Sequence, residues 1–316
     1  MLEIKLFGTG QAYYNDQPLA GFPHQQPCLL LSYLLLNKSY PHNREHLAAI
    51  LWDDAPAMIG RKSLRNALWR LRQVFESVGA CLDDYLMITE DSVAFINASH
   101  FGLDIETFET TTTLCKDLSG WELSEEQVSQ LETGVNLYLG DLLEGIYEDW
   151  VLYDRERLNL VYINTLNKLM VYYGLKGNYE RGLTCGNRIL AMDNTRETVY
   201  RQMMWLYCLL GDRNAALKLY KCCSRILRDE LGVDPMQETR HLFEQVLHNQ
   251  IDPKEWRFPF DAPAYSRRTA DHDSQSLTEN TLKKLRFIQN SIEETNAQLH
   301  LLEKMLGETL TQLSRA

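Results

Sequence analysis

The first fifty residues alternate between strand-like and helix-like hydrophobic patterns. Residues 2–7, LEIKLF, alternate apolar with charged side chains, which predicts a half-buried strand. The apolar run from Cys28 to Leu36 predicts a helix with Pro27 in its first turn, a position that proline tolerates well. Asn43 is a suitable N-cap for a second helix over residues 44–52.

A third helix follows and carries a strip of basic side chains. Pro56 and Gly60 are expected to break the chain before the segment GRKSLRNALWRLRQVF, which ends at Phe75. Apolar residues recur in it at helical spacing and predict a face that enters the core, so their loss should unfold the region: Leu64, Leu68, Leu71 and Phe75. The other positions cover the rest of the helix surface: Arg61, Lys62, Arg65, Asn66, Trp69, Arg70, Arg72 and Gln73.

Residues 86–96 hold two β-rich runs around Glu90–Asp91–Ser92 and predict a hairpin. Helices followed by a hairpin in this order are typical of a winged helix-turn-helix, in which the last helix before the hairpin enters the major groove of DNA. Arginine can bind guanine and asparagine can bind adenine with two hydrogen bonds each. We therefore expect these residues nearest the groove: Lys62, Arg65, Asn66, Trp69 and Arg70. Arg61 and Arg72, at the edges of the strip, are expected to contact phosphates.

Two alternatives compete with DNA binding for this strip. It could be a solvated basic face without a ligand, or it could face an acidic partner protein. A solvated face usually mixes charges of both signs, yet no acidic residue lies between Arg61 and Gln73. Trp69 on the polar side of the helix requires a role of its own, either packing against the second helix or contact with the sugar-phosphate backbone.

From about residue 104 the hydrophobic pattern becomes almost wholly helical, and part of it repeats. GNYERGL at Gly177–Leu183 matches GDRNAAL at Gly211–Leu217, and the two segments lie 34 residues apart. This is the period of tetratricopeptide repeats, in which pairs of helices stack on their neighbours. The alternative is a chance similarity between two helical hairpins.

The C-terminal part changes character twice. Residues 251–276 contain Pro253, Pro259 and Pro263 among many polar residues and predict a linker. Residues 277–316 then show a heptad pattern, which predicts a dimerising coiled coil. Its apolar seam positions are Leu285, Ile288, Ile292, Leu299, Leu302, Leu306 and Leu313. The alternative is an amphipathic helix that folds back on the repeat region.

Charge and composition restrict the classes of function. The chain has 316 residues, 45% of them hydrophobic, and a net charge of -11. This charge argues against a protein that coats nucleic acid or an anionic membrane with its whole surface, but it permits a local basic patch. The longest near-apolar run, Cys28 to Leu36, is far shorter than the roughly 20 residues of a membrane helix. We find no signal peptide and no membrane segment.

The seven cysteines show no metal-ligand spacing and favour reduced thiols in a cytoplasmic protein. The eight histidines are scattered, and Asp53–Asp54 has no nearby partner at metal spacing. The phosphate loop, HExxH and GxSxG motifs are absent from the sequence. We therefore expect no catalytic residue, no metal site, and no cofactor such as ATP.

Several motifs occur in the order found in one family of regulators. They are LEIKLFGTG, LLLSYLLLN, REHLAAILWDDAP, RKSLRNALWRLRQVF, LDIETFE, EDWVLYDRERL and RDELGVDP. Over residues 1 to about 250 the chain resembles SARP-type bacterial transcriptional activators. The resemblance implies an OmpR-type winged helix joined to a bacterial transcriptional activator domain with tetratricopeptide-like repeats. It also implies sequence-specific binding of double-stranded promoter DNA, often at direct repeats, and contact with RNA polymerase.

The sequence as a whole predicts a mainly α chain with a small α+β N-terminal domain. The expected parts are a winged helix over residues 1–104, an activator domain over 105–250, a linker over 251–276 and a coiled coil over 277–316. The predicted function is a cytoplasmic, homodimeric, DNA-binding activator. The alternative function is a tetratricopeptide-type scaffold whose winged helix binds an acidic protein. Three features depart from the family: an acidic wing tip at Glu90–Asp91, an excess of acidic over basic side chains in residues 1–104, and the C-terminal coiled coil. The acidic excess predicts a low, salt-sensitive affinity for non-specific DNA.

Overall fold

The computed structural model describes residues 1–52, 56–96 and 100–251, which lie in one compact unit. Asp53 and Asp54 lie outside the described residues. So do the predicted linker from residue 252 onward and the whole predicted coiled coil, residues 277–316. Those two predictions therefore stay predictions.

The N-terminal region contains short strands and three helices, followed by a hairpin and a last strand. In chain order they are β1 (Leu2–Lys5), β2 (Gln11–Tyr14), β3 (Gln17–Pro18), α1 (Gln26–Leu36), β4 (His42–Asn43), α2 (Arg44–Leu51), α3 (Ala57–Ser77), β5 (Leu86–Ile88), β6 (Ser92–Phe95) and β7 (Phe101–Leu103). One sheet has the order β3-β2-β1-β7, with β1 antiparallel to β2 and parallel to β7. A second sheet has the order β4-β6-β5 and contains the predicted hairpin.

Local sequence patterns account for most of these elements. In β1 the apolar side chains Leu2 and Ile4 are buried while the charged ones between them are exposed, as the alternation predicts. The helix α1 carries Pro27 at its start. The Asn43 side chain caps α2 by accepting a 2.7 Å hydrogen bond from the backbone N–H of Glu45. These three predictions are confirmed.

The predicted break at Gly60 is wrong, because α3 runs from Ala57 to Ser77 without interruption. Of the two residues predicted to break the chain, only Pro56 precedes the helix. A Cβ atom at Gly60 would lie 3.4 Å from the Cβ of Ala48 on α2. The glycine therefore sits inside α3 at the point where α3 packs against Ala48 of α2.

The second region is helical and contains the repeated segment. Its helices are α4 (Asp104–Thr113), α5 (Glu125–Leu137), α6 (Asp149–Leu175), α7 (Tyr179–Met192), α8 (Glu197–Leu209), α9 (Arg213–Ile226) and α10 (Gln237–Leu247). Gly177 lies between α6 and α7, and Gly211 lies between α8 and α9, both with positive φ. The 34-residue spacing thus separates the equivalent turns of two helical hairpins, and their assignment to tetratricopeptide repeats stays a prediction.

The two regions share one hydrophobic core. It extends from Leu2 in β1 through Phe108 in α4 to Leu206 in α8. Backbone hydrogen bonds also join them, because Leu143 N–H donates to the carbonyl of Leu6 at 2.8 Å. A further 2.8 Å bond runs from Gly8 N–H to the carbonyl of Asp141. The segment that precedes α6 is therefore fastened to the end of β1.

Two charged side chains satisfy backbone groups at this junction. The Asp104 carboxylate accepts 3.0 Å hydrogen bonds from the N–H groups of Leu6 and Phe7. Burial raises the pKa of Asp104, and these N–H donors oppose that shift by favouring the carboxylate. Arg155 on α6 donates three hydrogen bonds of 2.8–2.9 Å to the carbonyls of Leu142, Leu143 and Ile146. The junction is thus held by ionic side chains as well as by apolar packing.

Candidate nucleic-acid interface

The helix α3 has one buried face and one exposed face. Its predicted apolar residues are 0–6% exposed, which confirms the core face: Leu64, Leu68, Leu71 and Phe75. The residues predicted nearest the groove are all exposed to solvent: Lys62, Arg65, Asn66, Trp69 and Arg70. The helix therefore presents these five side chains together, on the side away from the core.

Trp69 is the bulkiest side chain on the exposed face. It is 61% exposed, so most of the indole remains open to solvent rather than packed against α2. An indole ring can stack on or pack against a ligand that cationic side chains attract. The indole is available for contact with a ligand.

The two arginines at the edges of the strip have carboxylate partners. Arg61 pairs with Glu45 of α2. Arg72 pairs with Asp83, with 2.6 Å between Nη2 and Oδ1. All four side chains are at least 42% exposed, so these pairs contribute little to stability. Their consequence is electrostatic, because they offset charge at both ends of the strip.

The centre of the strip lacks such partners. Lys62, Arg65 and Arg70 form no ion pair with any residue in the described part of the chain. Three cationic groups on one exposed helix face, within about two and a half turns, create a local positive potential on a chain that is acidic as a whole. Such a surface fits a phosphate-bearing or acidic ligand.

The hairpin β5–β6 is tied to the start of α2. Its tip, Glu90 and Asp91, is exposed and acidic, as the sequence predicts. Arg44 at the start of α2 donates its backbone N–H to the carbonyl of Asp91 at 3.0 Å, and its Nη1 donates to the carbonyl of Thr89 at 3.2 Å. Arg44 is thus a cationic group beside the tip of the hairpin that the sequence reasoning missed. The signal was available, since Arg44 directly follows the Asn43 cap.

A metal-binding cluster and a membrane-spanning helix are two other features that would indicate a function. No cluster of three or more His, Cys, Asp or Glu side chains within the described ranges could hold a metal ion. No helix of residues 1–52, 56–96 and 100–251 is both long enough and apolar enough to cross a membrane.

Comparison with known proteins assigns the helical region. Residues 103–247 match the family model of the bacterial transcriptional activator domain. The chain is similar to transcriptional regulatory protein MoaR1 of Mycobacterium tuberculosis, 23% identical over 255 residues, covering 78% of this chain and 76% of that protein. It is 25% identical over 255 residues to regulatory protein AfsR of Streptomyces coelicolor, covering 80% of this chain but 24% of AfsR. These matches confirm the resemblance that the motifs indicate.

A third relative also has a solved structure. Transcriptional regulatory protein EmbR of Mycobacterium tuberculosis is 23% identical over 292 residues, covering 89% of this chain and 70% of that protein. The structure of EmbR in complex with a low affinity phosphopeptide superimposes with a TM-score of 0.63 at 21% identity, over 80% of this chain and 67% of that one. This likeness supports the mainly helical fold with a small N-terminal α+β region. The relatives carry the names of regulators, not enzymes.

Proposed function

On the premise that the chain is a SARP-type bacterial transcriptional regulator, we propose that it binds promoter DNA through α3 and activates transcription. The observation that carries the proposal is the exposed face of α3, where Lys62, Arg65 and Arg70 surround Asn66 without a described carboxylate partner. Cations that bind no carboxylate of their own are free to meet phosphates and base edges.

The side chains of α3 divide into two roles. Arg65, Asn66 and Arg70 read base edges in the major groove, because arginine and asparagine offer paired hydrogen bonds to guanine and adenine. Lys62 and Trp69 flank them. The edge residues Arg61 and Arg72 contact phosphates, and to do so each exchanges its carboxylate partner for a phosphate oxygen.

The wing contributes differently from α3. Its acidic tip, Glu90 and Asp91, is repelled by phosphates and stays away from the DNA backbone. Arg44, whose side chain donates to the carbonyl of Thr89 beside this tip, offsets part of its negative charge. The wing therefore positions α3 on the duplex more than it adds affinity.

The activator domain provides the second half of the function. Residues 103–247 contact RNA polymerase or regulatory partners through their helices, which we propose to be tetratricopeptide-like. The EmbR structure holds a phosphopeptide, so that regulator at least binds a protein-derived ligand. Because the domain shares its core with the winged-helix region, a partner bound to the helices is held close to the promoter.

We further propose that the heptads of residues 277–316, outside the described residues, dimerise the chain so that two winged helices read two half-sites. Deletion of residues 277–316 is expected to leave a monomer in analytical ultracentrifugation, because the seam from Leu285 to Leu313 would be lost. The full chain, run at the same concentrations, is the control. A dimer that survives the deletion would assign self-association to residues 1–276.

Selection of sheared genomic DNA by the purified full chain, at two salt concentrations, tests the proposed function. The wild-type protein is expected to enrich a short recurring motif, and the Arg65→Ala/Arg70→Ala variant is expected to lose it. The matched control is Lys221→Ala/Arg225→Ala, which removes the same charge from exposed positions of α9. No enrichment at either salt, or equal loss in both variants, would favour the alternative of an acidic protein partner.

A further inference from the structure

The helix α9 carries a second basic surface. No acidic residue lies between Arg213 and Arg228, although the chain as a whole has a net charge of -11. The buried side of α9 contains Ala216 and Cys223. On the opposite side three exposed cations follow one another at a three-residue and a four-residue step: Lys218, Lys221 and Arg225. These steps place them in one row along the helix, the α9 stripe.

The cations at the two ends of α9 have partners, whereas the α9 stripe between them has none. Arg213 donates from Nε to the carbonyl of Val246 at 2.8 Å. Arg228 pairs with Asp234, with 2.9 Å between Nη2 and Oδ1. The α9 stripe forms no ion pair with any carboxylate in the part of the chain that the structure describes. Its three positive charges are therefore open to a ligand.

Helix stability does not explain the α9 stripe. Like charges at three- and four-residue steps repel each other and destabilise the helix that carries them. The equivalent helix of the preceding hairpin, α7, has Thr184, Asn187 and Ala191 at the positions 34 residues earlier. These three side chains are exposed as well, yet they are neutral. An outward helix face in this region thus does not require cations, and the α9 stripe indicates a ligand of opposite charge.

The position of α9 favours a protein as that ligand. The helix packs mainly against α8 and α10, whereas α3 packs against α1 and α2. The whole α9 stripe lies within residues 103–247, which match the activator domain. It therefore belongs to the region that we propose to contact partners, and not to the region that we propose to contact DNA.

We propose that the α9 stripe binds an acidic helix of a partner protein. Its cations are spaced along the axis by about 4.5 Å and about 6 Å, at roughly 1.5 Å per residue. A helix with carboxylates at the same three- and four-residue steps, lying beside α9, presents an acceptor to each cation. The proposal deepens the proposed function and rests on it for one point, that the helical region contacts a partner protein.

The test is a fluorescence anisotropy titration of a labelled alanine-based helical peptide that carries a stripe of glutamates, and of its glutamine counterpart, with the full chain. The glutamate peptide is expected to bind saturably at low salt, and the glutamine peptide is not. The variant Lys218→Gln/Lys221→Gln/Arg225→Gln should weaken the binding about tenfold or more, because three charge-assisted contacts are lost. The matched control removes the same charge from scattered exposed positions and should bind as the wild type does: Lys5→Gln/Lys116→Gln/Lys176→Gln.

Three results would overturn the proposal. The first is a wild-type chain that does not distinguish the two peptides, and the second is an equal loss in the α9 variant and the scattered control. The third is a scrambled DNA duplex whose binding the α9 variant weakens more than that of the glutamate peptide, because the stripe would then bind nucleic acid. The peptide titrations contain no DNA, so their failure is distinguishable from a failure of α3 to read an operator.

Discussion

Replacement of Arg155 by alanine is expected to lower the free energy of unfolding by about 3 kcal/mol. The guanidinium donates to three carbonyls of the segment before α6, and that segment is fastened to the end of β1. Without Arg155 these carbonyls lose a charged donor at the junction between the two regions. Urea denaturation followed by circular dichroism measures the loss, with the midpoint and the slope compared against the wild type.

Arg157, on the same helix, is the matched control. Its side chain is 41% exposed and pairs with Glu109, which is 39% exposed, and with Asp154, which is 18% exposed. Partly exposed ion pairs contribute up to about 1 kcal/mol each, so Arg157→Ala should cost less than Arg155→Ala does. Both substitutions remove one positive charge from α6. They differ in the groups that the side chain binds, which are backbone carbonyls for Arg155 and carboxylates for Arg157. Equal losses in the two variants would contradict the role assigned to Arg155.

The elements that the sequence predicts well are those with local causes. The strand β1 follows from alternation, the start of α2 follows from the Asn43 cap, and the buried face of α3 follows from helical spacing. Each of these patterns is complete within one element. The hairpin and its acidic tip were also predicted correctly, because both depend on neighbouring residues in the sequence.

What the sequence did not predict depends on residues far apart in the chain. Gly60 looks like a helix breaker in the sequence, but in the structure it lies inside α3 and beside Ala48 of α2. The carboxylate that pairs with Arg61 comes from α2, and the one that pairs with Arg72 comes from beyond α3. The strip contains no acidic residue in the sequence. In the folded structure, carboxylates from outside the strip nevertheless offset the positive charge at its two edges. No periodicity encodes such contacts, since they depend on how whole elements pack.

This difference between edge and centre gives the sharpest prediction for DNA recognition. Once an operator has been selected, Arg65→Ala is expected to cost about 1–3 kcal/mol of binding free energy on it. The same substitution should cost much less binding free energy on a scrambled duplex, because a base contact carries sequence information that a phosphate contact does not. Fluorescence anisotropy titrations of both duplexes at one fixed salt concentration measure the two losses.

Arg72→Ala provides the contrasting behaviour. As a phosphate contact it should weaken both duplexes alike and reduce the dependence of affinity on salt. Asp83→Asn releases Arg72 from its carboxylate partner, so affinity for both duplexes should rise while their ratio stays the same. An Arg65→Ala variant that weakens both duplexes equally would place Arg65 on the backbone instead. An Arg65→Ala variant without any loss on the operator would contradict the assignment of Arg65 to a base edge.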